Sequence, residues 1–408
     1  MNDLLTSTRK LLLECAEEFG TPLYVYDGDK ILSQYKRLTS AFKGVPFRVH
    51  YACKANTNIN ILRLLHNAGC ELDTVSIQEV RLGLLAGFKP ENIMYTPNSV
   101  NIEEIKEAIE IGVNINVDSL SILEQFGNAY GDKVPVCIRI NPHVVAGGHS
   151  KIQTGHIDSK FGISYQQMRL LNRIIDQYHI KVQGVHMHNG SDIKEIDSFM
   201  EAFEVLLKVA SEFKDLKYID FGGGFKVPYK EGDTSTNLEE LGTEVTKKFR
   251  SFCKDYGREL ELWCEPGKFL VSESGYLLAK VNIVKHTVST VFAGVDTGLN
   301  HLIRPMMYNA YHHIVNISNP KGMPRVYSVV GNICETDTFG SDRKISEIHE
   351  GDVLAMLNAG AYGYSMSSNY NSRFRPAEVL LQNGEKRLIR KREEMEDLLR
   401  NQVIIGEK

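Results

Sequence analysis

"FRVHYACKANTNINILRLLHNAGCELDTVSIQEV", residues 47–80, alternates between strand-like and helix-like runs. "FRVHYACKA" is rich in aromatic and β-branched residues and ends at an Asn-rich turn. In "NINILRLLHNAG" the apolar residues recur at three- and four-residue intervals, giving the helix one buried stripe. "GCELDTVSI" reads as a second strand and "SIQEVRLGLLAGF" as a second helix. Such alternation pairs strands in parallel and leaves the helices outside. It continues to about residue 270 through "NIMYTPN", "VNINVDS", "VPVCIRINP", "VQGVHMHNG", "LKYIDFGGGF" and "LELWCEPGKFL". Eight strands over about 225 residues predict an α/β fold, a (β/α)8 TIM-type barrel. A doubly wound open sheet is the alternative. It would want a Gly-rich phosphate fingerprint after the first strand, where this chain has "KANTN".

Beyond about residue 276 the pattern changes. "GYLLAKVNIVKHT", "STVFAGVDT", "HHIVNIS", "PRVYSVVGNIC" and "DVLAMLNAGAY" are β-rich with few helical intervals and predict a C-terminal all-β domain. The early run "TPLYVYDGDKI" is strand-like and is expected to pair with that late sheet. The expected division is residues 1–29 joining the β-domain, 30–275 forming the barrel, and 276–408 forming the β-domain with a final helix, "KREEMEDLLRNQ". A polar stretch from Pro142 to Phe161 reads as a long loop, a length usually tied to function or disorder.

Composition narrows the function classes. The net charge is −4 with no basic block, so neither nucleic acid nor an anionic membrane is an expected partner. No apolar run reaches membrane-spanning length, and the N-terminus lacks the unbroken apolar centre of a signal peptide. Seven cysteines lie scattered, none in a C-x-x-C pair. That suits a reducing cytoplasm and offers neither a disulfide framework nor a zinc site; no metal is expected.

In a barrel of this kind the chemistry gathers at the C-terminal strand ends. Read in order, those ends carry Lys54, Asp73, Asn98, Asp118, Arg139 with Asn141, His188, Gly222 to Gly224, and Glu265. Each has a simpler reading: Lys54 reaching for water, Asp73 and Asp118 as helix N-caps, the glycines as a plain turn, His188 as a structural histidine. One cofactor, pyridoxal 5′-phosphate (PLP), would account for all of them. A lysine amine forms a Schiff base with its aldehyde. Glycines let backbone N–H groups approach its phosphate. A carboxylate keeps its pyridine nitrogen protonated, and an imidazole can stack on the ring.

"YACKANTN", "KFGI", "HMHNGSD", "GGGF", "EPGKF", "LIRPMMY", "ICETDTF" and "GAYGYSMSSNYNSR", in this order from Thr21 to Val379, resemble the fold-type III PLP-dependent decarboxylases. Among them the likeness is to the diaminopimelate decarboxylase family. The resemblance implies an alanine racemase-like barrel plus β-domain. It further implies decarboxylation of meso-2,6-diaminopimelate to L-lysine, the last step of lysine biosynthesis, in a homodimer with shared sites. It makes Lys54 the Schiff-base lysine, His188 the ring-stacking histidine, and Ser191 with Gly222, Gly223 and Gly224 the phosphate cradle. Glu265 is the pyridine-nitrogen partner, with Gly267 beside it. Cys334 is the general acid from the other subunit, and Glu335 reads the distal amine. Arg304 and Tyr308 grip the distal carboxylate, and Tyr362 touches phosphate and substrate. Lys268 stands where the family has an arginine that binds substrate or phosphate. "SIQE" at 76–79 stands where "SGGE" is usual, and no cofactor contact is assigned there. The rival activities are decarboxylation of ornithine, arginine or carboxynorspermidine. A PLP-binding relative without turnover is a third reading, and it should have lost the Cys334–Glu335 pair.

Overall fold

The computed structural model describes residues 2–144, 155–192 and 196–405. The chain divides into two compact units, one of Leu32–Val227 with Thr234–Leu270, the other of Met1–Ile31 with Pro228–Asp233 and Val271–Lys408.

The first unit is a closed parallel barrel. Its eight strands are Phe47–Ala52, Glu71–Thr74, Ile93–Tyr95, Asn114–Val117, Val136–Asn141, Val182–Met187, Tyr218–Asp220 and Glu261–Cys264. Each pairs in parallel with the next, and Leu262 on the eighth faces Phe47 on the first, which closes the ring. The fifth and sixth strands are buried along their whole length, as parallel strands covered on both faces must be. Helices fill the intervals, and their ends follow local chemistry. Asn58, Ser76, Asn101, Ser119 and Asn237 cap N-termini with their side chains, while Gly87, Gly112 and Gly257 end helices in the left-handed region. Ser76 and Ser119 therefore take the cap roles that Asp73 and Asp118 were candidates for. Both aspartates are left facing the strand ends. The first strand stops at Ala52, and Lys54 sits in a single 3-10 turn, Cys53–Ala55, directly after it. Of the stretch Pro142–Phe161, residues 145–154 lie outside the described residues.

The second unit is a nine-stranded sheet. Its main path runs Thr338–Ser346, Pro324–Val330, Val291–Val295, Gly275–His286, Leu23–Asp27, Ala377–Gln382, Glu385–Arg390. Leu23–Asp27 pairs antiparallel with Gly275–His286 and parallel with Ala377–Gln382. Its buried tyrosines fix it there: Tyr24 Oη donates to the His301 carbonyl (2.6 Å) and Tyr26 Oη to Glu378 Oε1 (2.7 Å). Leu12 and Cys15 of the first helix pack on Leu23, Val25, Leu278 and Val379 to form this unit's core. The final helix spans only Met395–Leu399 and opens on a capping box between Glu394 and Asp397.

Candidate active site

Glu265 follows the eighth barrel strand by one residue and is 6% exposed. Its backbone N–H donates to the Gly222 carbonyl (2.8 Å), so the carboxylate and the glycine turn are held together. Its Oε2 lies 2.9 Å from His186 Nε2, while Oε1 has no hydrogen-bond partner among the described residues. The Pro266 carbonyl accepts from the Ala52 N–H (3.2 Å), which draws the turn after Glu265 against the first strand. Gly267 sits in that contact, with room for a Cβ only 3.3 Å from Ala52 and Ala55. Lys54 and Glu265 thus share one mouth.

The charges there are sorted by environment. Burial pushes the Glu265 carboxyl up, but the hydrogen bond from His186 and the Lys54 charge outweigh it and hold the pKa below the usual carboxylate value. Burial, with the neighbouring Glu265 charge, drives Asp73 and Asp220 well above the ordinary carboxylate value. Burial also lowers His186 and His188, so both imidazoles are neutral near pH 7. The mouth therefore sets an ionised Glu265 beside Asp73 and Asp220, whose carboxyls burial favours in the neutral form, an arrangement that assigns distinct acid–base roles. The ligand atoms of His186, Asp220 and Glu265 all lie within 4.8 Å of one another, a spacing a metal ion could use. Here the His186–Glu265 hydrogen bond joins two of them directly.

The glycine turn is built for close approach. Gly222 has φ +74°, and a Cβ on it would lie 2.3 Å from the Met187 carbonyl oxygen. A Cβ on Gly223 would lie 2.2 Å from the Glu265 carbonyl oxygen. The Gly222 N–H donates to Asp220 Oδ1 (2.8 Å) and the Gly223 N–H to His188 Nδ1 (3.2 Å). The second bond fixes the His188 ring and its tautomer. Ser191 Oγ, three residues past His188, is buried with no hydrogen-bond partner among the described residues.

Lys268, 7% exposed, pairs with Asp192 at 2.5 Å. Asp192 follows Ser191 and has φ +63°. The charge that replaces the family's arginine is thus held by an acid that no local pattern marks. Asp192→Asn should lower unfolding stability by about 1–2 kcal/mol, the lower part of the range for a hydrogen bond to a charged group, because Asp192 is a quarter exposed. Urea unfolding of the variant checks this. A midpoint equal to wild type would show that the pair contributes nothing to folding.

The second unit carries the remaining residues in two clusters. Arg304 is 9% exposed, and its guanidinium carbon lies 5.7, 6.0 and 5.9 Å from the ring centroids of Tyr229, Tyr308 and Tyr362. Its Nε has no hydrogen-bond partner among the described residues. Cys334 and Glu335 are exposed in the turn between two strands. Asn371 Nδ2 donates to Cys334 Sγ (2.9 Å), and Tyr370 Oη donates to Glu335 Oε1. His186, Asp192, Asp220, Tyr229, Tyr370 and Asn371 were not singled out from the sequence. One signal was available for His186: it precedes His188, the first residue past the strand's end, by two positions, the period of one strand face.

Residues 28–272 match the family described as pyridoxal-dependent decarboxylase, pyridoxal binding domain. That match defines the class, a decarboxylase with PLP as its cofactor. The diaminopimelate decarboxylase of Methanothermobacter thermautotrophicus is 42% identical over 402 residues, covering 96% of this chain and 94% of the relative. The Helicobacter pylori diaminopimelate decarboxylase complexed with L-lysine superposes with a TM-score of 0.88 at 34% identity, covering 95% of this chain and 98% of that one. The Methanocaldococcus jannaschii enzyme in co-complex with L-lysine also gives 0.88, at 36% identity over 96% of this chain and 94% of that one. The chain belongs to the diaminopimelate decarboxylase family, whose members are carboxy-lyases.

Proposed function

We propose that this chain removes carbon dioxide from meso-2,6-diaminopimelate and releases L-lysine, with PLP as cofactor. The observation that carries the substrate choice is Arg304, a buried guanidinium ringed by tyrosines, whose Nε lacks a hydrogen-bond partner among the described residues. A distal carboxylate would satisfy it; ornithine has none to offer. The cofactor's groups suit the barrel mouth. Ser191 Oγ and Glu265 Oε1 are buried polar atoms without hydrogen-bond partners among the described residues, and Gly222 and Gly223 lie where any side chain would clash.

Lys54 would hold the cofactor covalently through Nζ. His188 would lie against its ring, and Ser191 with Gly222 to Gly224 would take the phosphate, with Gly267, Lys268 and Tyr362 beside them. When bound, PLP supplies a sink for the electron pair left as the carboxylate departs. Glu265 holds a proton on the pyridine nitrogen, which its low pKa allows it to do as a carboxylate. Cys334 delivers a proton to the substrate's α-carbon. Glu335 receives the distal amine, and Arg304 with Tyr308 the distal carboxylate. We also propose a cytoplasmic homodimer in which each site takes Cys334 from the second subunit. Cys334 is exposed in the single chain, as a group offered to a second subunit would be, and that supports this.

Carbon dioxide release from meso-diaminopimelate, ornithine and arginine, measured side by side, tests the reading. Turnover of diaminopimelate far faster than that of ornithine or arginine is expected; preference for ornithine would overturn it. Arg304→Ala should raise KM for diaminopimelate by roughly ten- to a hundredfold, the worth of a charge-assisted hydrogen bond. It should leave the slow turnover of a substrate lacking the distal carboxylate nearly unchanged. Equal damage to both would make Arg304 structural.

A further inference from the structure

His186 is hydrogen-bonded to the Glu265 carboxylate, and the proposed chemistry leaves it without a part. Its ring is 1% exposed and rigid, and it sits on the sixth barrel strand. Glu265 has three rotatable side-chain bonds and stands on a turn just past the eighth strand. A hydrogen bond of 2.9 Å joins His186 Nε2 to Glu265 Oε2. Because the carboxylate can only accept, Nε2 must carry the proton. Nδ1 then bears a lone pair, and it has no partner among the described residues.

The backbone register places His186 in a lateral row. Arg139 on the fifth strand is its neighbour on one side, and Asp220 on the seventh its neighbour on the other. Asp220 Oδ1 also receives the Gly222 N–H, so the row is tied to the glycine turn. Burial, and the Arg139 and Lys54 charges, keep the His186 ring neutral, which preserves its role as donor. One Glu265 oxygen is engaged by this donor; the other, Oε1, is buried with no hydrogen-bond partner among the described residues.

We infer that His186 is a positioning residue for the reaction, orienting Glu265 so that Oε1 is presented to the pyridine nitrogen. The inference rests on the role proposed above for Glu265. The other titratable groups facing Glu265 are Lys54, His188, Asp73, Asp220 and Arg139, with Cys137, Cys264 and Tyr218. Of these, Lys54 also favours the ionised carboxylate. Loss of His186 should therefore weaken that preference without abolishing it.

The test compares His186→Phe, the smaller His186→Leu, His186→Gln and Glu265→Gln as purified holoenzymes. Two readouts are taken: steady-state kinetics, and the pH titration of bound-cofactor absorbance without substrate. His186→Phe and His186→Leu should lose roughly ten- to a hundredfold in kcat, with KM within about twofold of wild type. Their acidic absorbance transition should move up by about one pH unit, because burial then acts on Glu265 with less opposition. His186→Gln restores an N–H donor and should return kcat to within a few-fold of wild type and the transition toward its original pH. Wild-type kcat and an unmoved transition in the Phe and Leu variants, beside a crippled Glu265→Gln, would overturn the inference and leave the Glu265 role standing. An unimpaired Glu265→Gln would overturn both.

Discussion

Lys54→Ala should purify folded, without the long-wavelength absorbance of lysine-linked PLP, and with kcat reduced by about a thousandfold or more. The turn that carries Lys54 does not depend on its side chain. The Asn56 N–H closes it onto the Cys53 carbonyl (3.0 Å), and Cys53 and Ala55 are buried on either side. Alanine fits that backbone, so the fold should survive. The electrostatic cost is local: Lys54 opposes the upward push of burial on both Glu265 and Asp73, and its loss leaves those carboxyls more easily protonated. A modest fall in melting temperature is therefore expected beside a complete spectral change. The catalytic loss is larger because two functions go together. The amine that holds the cofactor is gone, and so is a positioned proton-transfer group, itself worth about a hundred- to ten-thousandfold. A Lys54→Ala protein that keeps the wild-type absorbance would remove Lys54 from this role.

How far such a site can be read from sequence depends on how local its causes are. Strand ends were legible because a parallel barrel buries its strands on both faces and marks them as apolar runs between polar turns. Lys54, His188, Gly222 to Gly224 and Glu265 follow those ends directly. What was misplaced was local competition. Asp73 and Asp118 look like caps, but Ser76 and Ser119 stand closer to the first helical residue and take the N–H groups. The strands Thr338–Ser346 and Glu385–Arg390 escaped because their exposed faces are charged, so the apolar alternation is thin. The Lys268–Asp192 pair and the row Arg139–His186–Asp220 were illegible for another reason. Their members come from different strands and turns, and only the register of the sheet makes them neighbours.

Mixing two inactive variants should restore about a quarter of wild-type activity. Lys54 belongs to the barrel unit and Cys334 to the β-rich unit. If each site in the proposed dimer draws Lys54 from one subunit and Cys334 from the other, Lys54→Ala and Cys334→Ala each disable both sites of their own homodimer. In a mixed dimer the defects fall together, so one site carries both and the other carries neither. Random exchange at equal amounts makes about half of the dimers mixed, each with one intact site of two, and independent sites then give about a quarter of the full rate. Cys334 is suited to the role by its surroundings: it is exposed, unlike the buried Cys53, Cys70, Cys137 and Cys264 of the barrel, and Asn371 holds its sulfur by a hydrogen bond. Subunits carrying different affinity tags report whether exchange has occurred. Recovery that follows the mixed-dimer fraction would make the dimer obligatory for catalysis and place the proton donor on the neighbouring subunit. Proven exchange with no recovery would put both residues in the same subunit's site, or take Cys334 out of the chemistry, and the exposed thiol would then need another explanation.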